Sequence, residues 1–317
     1  PDRKATLNGS VAVNAFSTTV DYTNVTYSMP EGTIDVRDNT MTLRPSALYD
    51  PQGHRAGFDM DFSFANPRNL TYNVHVRPEN MLVLHTNASH NDLFYGTVYA
   101  SGSGTIRGSR YGVSMDIVAA SADGTRFYLP LGNASDISAA DFIVFKDPER
   151  HASDSLAAVR RRKRLLARRI GGAQQARTDM DIKMTLDVHP NAEMQLTLDQ
   201  TGDNMLRGRG SGTLNLHVNP VDKEFTIYGD YAIAEGNYRF SLQNFATRNF
   251  IIEDGSSIQW TGDPVNALLD VTAVYKLKAS LAPLLGAGAQ SGRRSVPVEC
   301  IIRLSDRLTQ PAITFDV

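Results

Sequence analysis

The chain has 317 residues, a formal net charge of −2 and 41% hydrophobic residues. It is long enough for a large core or two domains. Its near-neutral charge argues against a general nucleic-acid or acidic-ligand binder, and its single cysteine, Cys300, excludes an intrachain disulfide framework.

From the N-terminus the chain opens on PDRKATLNGS, with no starting Met and no signal peptide. No apolar run approaches the roughly 18 residues that a membrane-crossing helix needs. The sequence therefore reads as an interior or C-terminal piece of a longer protein, with any membrane anchor outside it. Strand signals then recur between turn residues: TLNGSVAV, GTIDVRDNTMTL, GFDMDFSF, NLTYNVHV, MLVLHTNA, FYGTVYASGSGTI, YGVSMDIVAA and GTRFYLPL. Alternation with period two separates an oily face from a wet one. In this first array, residues 1–149, the oily face holds Phe58, Met60, Phe62 and Phe64, followed by Tyr72, Val74 and Val76. Asp59 and Asp61 fall on the wet face.

Residues 150–177 form a linker with one strong helical pattern at 154–170, capped by Ser153 or Asp154 and stopped at Gly171-Gly172. Its charge is concentrated in Arg160, Arg161, Arg164 and Arg168 and their neighbours. Three readings compete: a solvated insertion, a surface for anionic lipid head groups or a partner, and a nucleic-acid contact. The last has no interleaved aromatics to support it.

A second array follows over residues 178–285. Its oily face takes Met180, Ile182, Met184 and Leu186, then Met194, Leu196 and Leu198, then Leu214 and Leu216, then Tyr238, Phe240 and Leu242. Ile258 and Trp260 continue it, as do Leu269, Val271 and Tyr275. A Gly-rich loop at 286–295 and closing strands at 296–317 end the chain. The arrays echo one another: GFDMDFSF resembles RTDMDIKM, YASGSGTIRG resembles RGRGSGTLNL, and GTRFYLPLGNAS resembles GNYRFSLQNFAT, in that order. Two copies of one strand array point to an elongated, quasi-one-dimensional β structure. By pattern alone the same residues also suit the closed core of a sandwich or barrel.

Catalytic signatures are missing. Gly102-x-Gly104 and Gly208-x-Gly210-x-Gly212 lack phosphate-loop spacing and context, and read as bends in tight strands. The seven histidines form no H-E-x-x-H, and no G-x-S-x-G elbow occurs. No enzyme, metal or cofactor is expected.

The segment GNYRFSLQNFATRNFIIEDGSSIQWTGDPVNALLDVTAVYKLKASL carries a denser pattern. Gly236-x-Tyr238-x-Phe240 precedes Gly255-Ser256, an Ile258-x-Trp260-x-Gly262-Asp263-Pro264 turn, and Leu269-Asp270-Val271-x-Ala273-x-Tyr275. This resembles the C-terminal domain of the TamB (translocation and assembly module) family, strongly after about Thr178 and more loosely before, where the form seen in Bacteroidetes-like bacteria is similar. The closing VPVECIIRLSDRLTQPAITFDV is similar as well, with Pro311 and Phe315 in pattern. The arginine-rich helix is not part of that pattern.

The resemblance implies an all-β, elongated curled sheet, an open trough or β-taco with an apolar interior, here interrupted by one basic helical insertion. It implies a periplasmic section of a protein anchored in the inner membrane of a Gram-negative bacterium. The implied partners are phospholipid acyl chains and an Omp85-type outer-membrane barrel of the TamA kind. The implied roles are phospholipid transport and outer-membrane biogenesis without catalysis, or alternatively scaffolding of outer-membrane protein assembly by β-augmentation.

Overall fold

The structure is a computed structural model. It describes residues 6–90, 94–130, 179–198, 202–219, 222, 224–242, 246–280 and 295–317. In chain order the strands are β1 (Gly9–Val20), β2 (Val25–Arg37), β3 (Thr40–Tyr49), β4 (Arg55–Ser63), β5 (Thr71–Glu79), β6 (Met81–Thr86), β7 (Tyr95–Ser109), β8 (Gly112–Ser121) and β9 (Arg126–Pro130). They continue as β10 (Asp179–Val188), β11 (Glu193–Thr197), β12 (Met205–Asn219), β13 (Glu224–Leu242), β14 (Ala246–Ile252), β15 (Ser256–Gly262), β16 (Leu268–Ser280), β17 (Ser295–Arg307) and β18 (Ala312–Asp316). Among the described residues there is no α-helix, only a 3-10 turn at Pro264–Asn266. The expected basic helix is not borne out: its residues 154–170, with Arg160, Arg161, Arg164 and Arg168, lie outside the described residues.

All 18 strands belong to one sheet. Neighbours pair antiparallel except β8 with β10 and β9 with β11, which run parallel. β1 pairs with β2 at one end of the array, and β18 with β17 at the other.

The long strands change partners halfway. β7 pairs with β6 through residues 96–100 and with β5 through 104–109. β12 pairs with β11 through 205–209 and with β10 through 212–218. β13 pairs with β15 through 227–233 and with β14 through 236–242. Each long strand thus contributes to two walls, and the sheet is folded along a line that crosses its strands. One wall holds β5, β8, β10 and β15; the other holds β6, β9, β11 and β14.

Glycine makes that fold line possible. Gly102 has φ +151° and Gly229 has φ +133°, in a region that side chains rarely adopt. At Gly210 the obstacle is space: a Cβ there would overlap the Ala232 carbonyl oxygen of the neighbouring strand. Opposite it, the register slips by one residue between Arg209 and Gly210, a bulge that sharpens the bend.

The walls meet across the fold. Phe94, entering β7 on the short wall, has its ring centroid 5.8 Å from that of Phe225 on β13 of the long wall. Two packed clusters result. The larger holds Leu196, Leu206, Tyr231, Ile233, Tyr238, Ile258, Trp260, Ile302, Leu304 and Leu308, each at most 2% exposed. The smaller gathers Met29, Leu43, Leu48, Ala56 and Met81. At the C-terminal end the sheet curls inward, so that Phe315 of β18 lies 5.9 Å, centroid to centroid, from Phe240 of β13.

A buried carboxylate ties the β3–β4 turn to β6. The Asp50 side chain is fully buried. It accepts hydrogen bonds from the Leu82 amide (2.8 Å), the Gln52 and His54 amides (2.9 Å each) and the His54 Nδ1 (2.8 Å). Burial alone would raise its carboxyl. The donations from Leu82, from the His54 ring and amide, and from Gln52 outweigh burial and hold it below the usual carboxylate value. Its stabilising contribution is therefore complete above an unfolded-state pKa of about 3.9 and is lost as pH falls through the lower folded-state value. Asp50→Ala, which strands the Leu82 amide, should cost about 2–3 kcal/mol in urea unfolding at pH 7. Its disadvantage against the parent should shrink on acidification below about pH 4; a loss that stays constant with pH would show that the carboxylate is not the stabilising group.

Candidate functional site: the apolar groove between the walls

Cross-strand register builds the inner face as rows running along the sheet. One row passes through ten strands: Val11, Ile34, Leu43, Met60, Val74, Ile106, Met115, Ile182, Val218 and Phe225 are each paired with the next. At an inter-strand spacing of about 4.8 Å this stripe is on the order of 43 Å long. One leaflet of a bilayer core is about 15 Å thick by comparison. A parallel row runs Phe58, Val76, Gly104, Ile117, Met184, Leu216 and Ile227. Neither row contains a charged residue.

The groove differs along its length because its walls differ in height. β9 and β11 have 5 residues each, whereas β8 and β10 have 10 each. The outer halves of β8 and β10 therefore extend beyond the strands that would cover them. Val74, Ile106, Val113, Met115, Ile117, Met180, Met184 and Leu186 are half-buried and belong to neither packed cluster. The two packed clusters flank this half-buried stretch of the groove on either side.

The residues expected on the oily face fall into three groups. Leu196, Tyr238, Ile258, Trp260, Leu269 and Val271 are at most 4% exposed inside the larger cluster, with Met194 at 8% and Leu214 at 6%. Leu198, Leu216, Phe240 and Tyr275 pack on its margin, as Phe58 and Met60 do on the smaller cluster. Phe62, Phe64, Met180, Met184 and Leu186 are half-buried outside both, with Ile182 at 7% exposure among them. The side chain of Leu242 lies outside the described residues. Sequence reasoning passed over Ile34, Leu43, Ile106, Val113, Met115 and Ile117. The alternation G-V-S-M-D-I in β8 carried the signal for three of them.

Along the free ends of β4, β5, β7, β8 and β10 the lip has both characters. A cavity of about 620 Å³ is lined there by Tyr72 and Val113 from the inner face and by Asp61, Asn73, Arg107 and Asp181 from the outer face. The outer face is laced with ion pairs, Arg77 to Asp59 at 3.2 Å, Arg107 to Asp116 at 2.9 Å and Lys183 to Asp181 at 3.2 Å, and His217 hydrogen-bonds the Asp181 carboxylate. The His217 hydrogen bond, then that of Lys183, holds the Asp181 carboxyl below its ordinary value. Among the described residues no group of His, Cys, Asp and Glu is arranged to hold a metal ion, and no helix is long and apolar enough to cross a membrane. The arrangement offers an apolar channel with an uncovered middle and a charged lip.

Residues 49–317 match the family model described as the TamB C-terminal domain. No curated protein is significantly similar to the chain.

Proposed function

The chain belongs to the TamB family, a family of transport and assembly proteins of the cell envelope, and from that premise we propose that it carries phospholipid along the groove between the two walls. The ten-strand apolar row supports this reading most directly. Acyl chains lie against Met60, Met115, Met180 and Met184, unbranched and polarizable side chains that accept variable shapes, while the head group stays in water at the lip beside Asn73 and Arg107. Burying each CH₂ is worth about 0.8 kcal/mol, but the membrane already supplies the same burial. Exchange between the two is close to neutral, which suits a conduit. In this proposal the chain works in the periplasm as part of an inner-membrane-anchored protein.

A photo-crosslinking residue at Met184 tests the proposal in protein purified from cells. Co-purifying phospholipid should be captured at Met184 and not at the outward Lys183, which is 65% exposed. Capture at Lys183 alone would overturn the conduit reading.

The exposed edge at β18 favours a second reading. Every residue of β18 is exposed, with Phe315 at 56%. An edge of this kind can pair with a strand of an Omp85-type barrel or of a client outer-membrane protein. Met184→Glu separates the two readings: it should abolish lipid capture in the groove and leave edge pairing intact.

A further inference from the structure

Two polar atoms sit inside the larger apolar cluster without a partner among the described residues: the Tyr231 hydroxyl and the Trp260 Nε1. Their side chains are 0% and 2% exposed. Both residues belong to adjacent antiparallel strands and face the interior. Tyr231 stands opposite Ile258 and Trp260 opposite Gly229, so they are diagonal neighbours two residues apart in register. Diagonal positions on one face of a sheet are about 7–8 Å apart, within reach of aromatic side chains. Burial raises the Tyr231 phenol, with no hydrogen bond to offset it. The indole N–H only donates, and the phenol donates or accepts. A buried donor left unmet is costly, and such groups in native proteins nearly always find an acceptor.

We propose that Tyr231 and Trp260 form a two-donor polar notch that binds a single acceptor oxygen inside the larger cluster. Two sources share that chemistry: an internal water, and the carbonyl oxygen of an acyl chain. Only the acyl source rests on the lipid reading above.

Trp260 is the only tryptophan in the chain, so ¹⁵N-tryptophan labelling produces one indole N–H resonance. That resonance should lie at a hydrogen-bonded position in the parent protein, and Tyr231→Phe should shift it and lower the urea midpoint. If water is the acceptor, the indole proton cross-relaxes with solvent and the resonance survives detergent delipidation unchanged. If an acyl carbonyl is the acceptor, delipidation moves the resonance to the unbonded position, and phosphatidylethanolamine–phosphatidylglycerol vesicles restore it. An indole N–H at the unbonded position both before and after delipidation overturns the notch, whatever is captured at Met184. So does a rise in the urea midpoint for Tyr231→Phe, because removing an unmet buried hydroxyl relieves its desolvation.

Discussion

Trp260→Ala should lower the unfolding free energy by about 3–5 kcal/mol, the range for truncating a large buried aromatic. The indole is 2% exposed, within a cluster to which both walls contribute: Leu206 and Tyr238 from one, Leu214 and Ile227 from the other. Removing it leaves a cavity that neither wall can fill alone, because each is held by its own ladder of backbone hydrogen bonds. The urea midpoint followed by circular dichroism measures the loss, since the chain's only tryptophan signal disappears with the substitution. Trp260→Phe should recover much of it. A loss below about 1 kcal/mol for the alanine variant would show that the walls are not closed on one another here.

Gly210→Val should be at least as damaging, on the order of 4–5 kcal/mol, or should prevent soluble folding altogether. A Cβ at this position overlaps the Ala232 carbonyl oxygen, and the Ile233 Cα lies close behind it. The clash is with backbone, so no rotamer change relieves it; β12 and β13 must separate at the bend. Gly104→Ala is the matched control. It lies in the similar G-S-G-T stretch of β7, yet a Cβ there meets only the Ile117 Cγ1 at 3.8 Å, an ordinary contact. The control should stay within about 1 kcal/mol of the parent. Equal effects at the two positions would argue that the fold line does not pass through Gly210.

Much of the architecture was legible in local pattern. Period-two alternation assigned an inner face to β4, β10 and β12 because a strand's side chains alternate whatever lies beyond them. Ile258, Trp260, Leu269 and Val271 were placed on the oily face in the same way, and all are at most 4% exposed. The glycine-rich stretches in β7 and β12 were read as bends, and Gly102 and Gly210 do stand where the strands change walls. The basic helix was the local inference without support, since its residues lie outside the described ones.

Other features could not be read from neighbouring residues. The parallel pairing of β8 with β10 depends on which strands meet across residues 131–178, and no turn sequence encodes that encounter. Asp50 gave no signal, because its donor Leu82 is 32 positions away. Alternation also could not separate Leu196, fully buried, from Met184, half-buried, although both lie on the inner face of neighbouring strands.

The sequence by itself therefore determined that the protein is an all-β sheet with an apolar face and which family it joins. Only the tertiary structure decided where that face is core and where it is groove. Burial depends on what stands opposite. Short β9 and β11 leave the outer halves of β8 and β10 uncovered, whereas Tyr238, on the half of β13 that pairs with β14, shares the larger cluster with Trp260 and Tyr231. The relative height of two walls belongs to strands far apart in the chain, so no local pattern could express it.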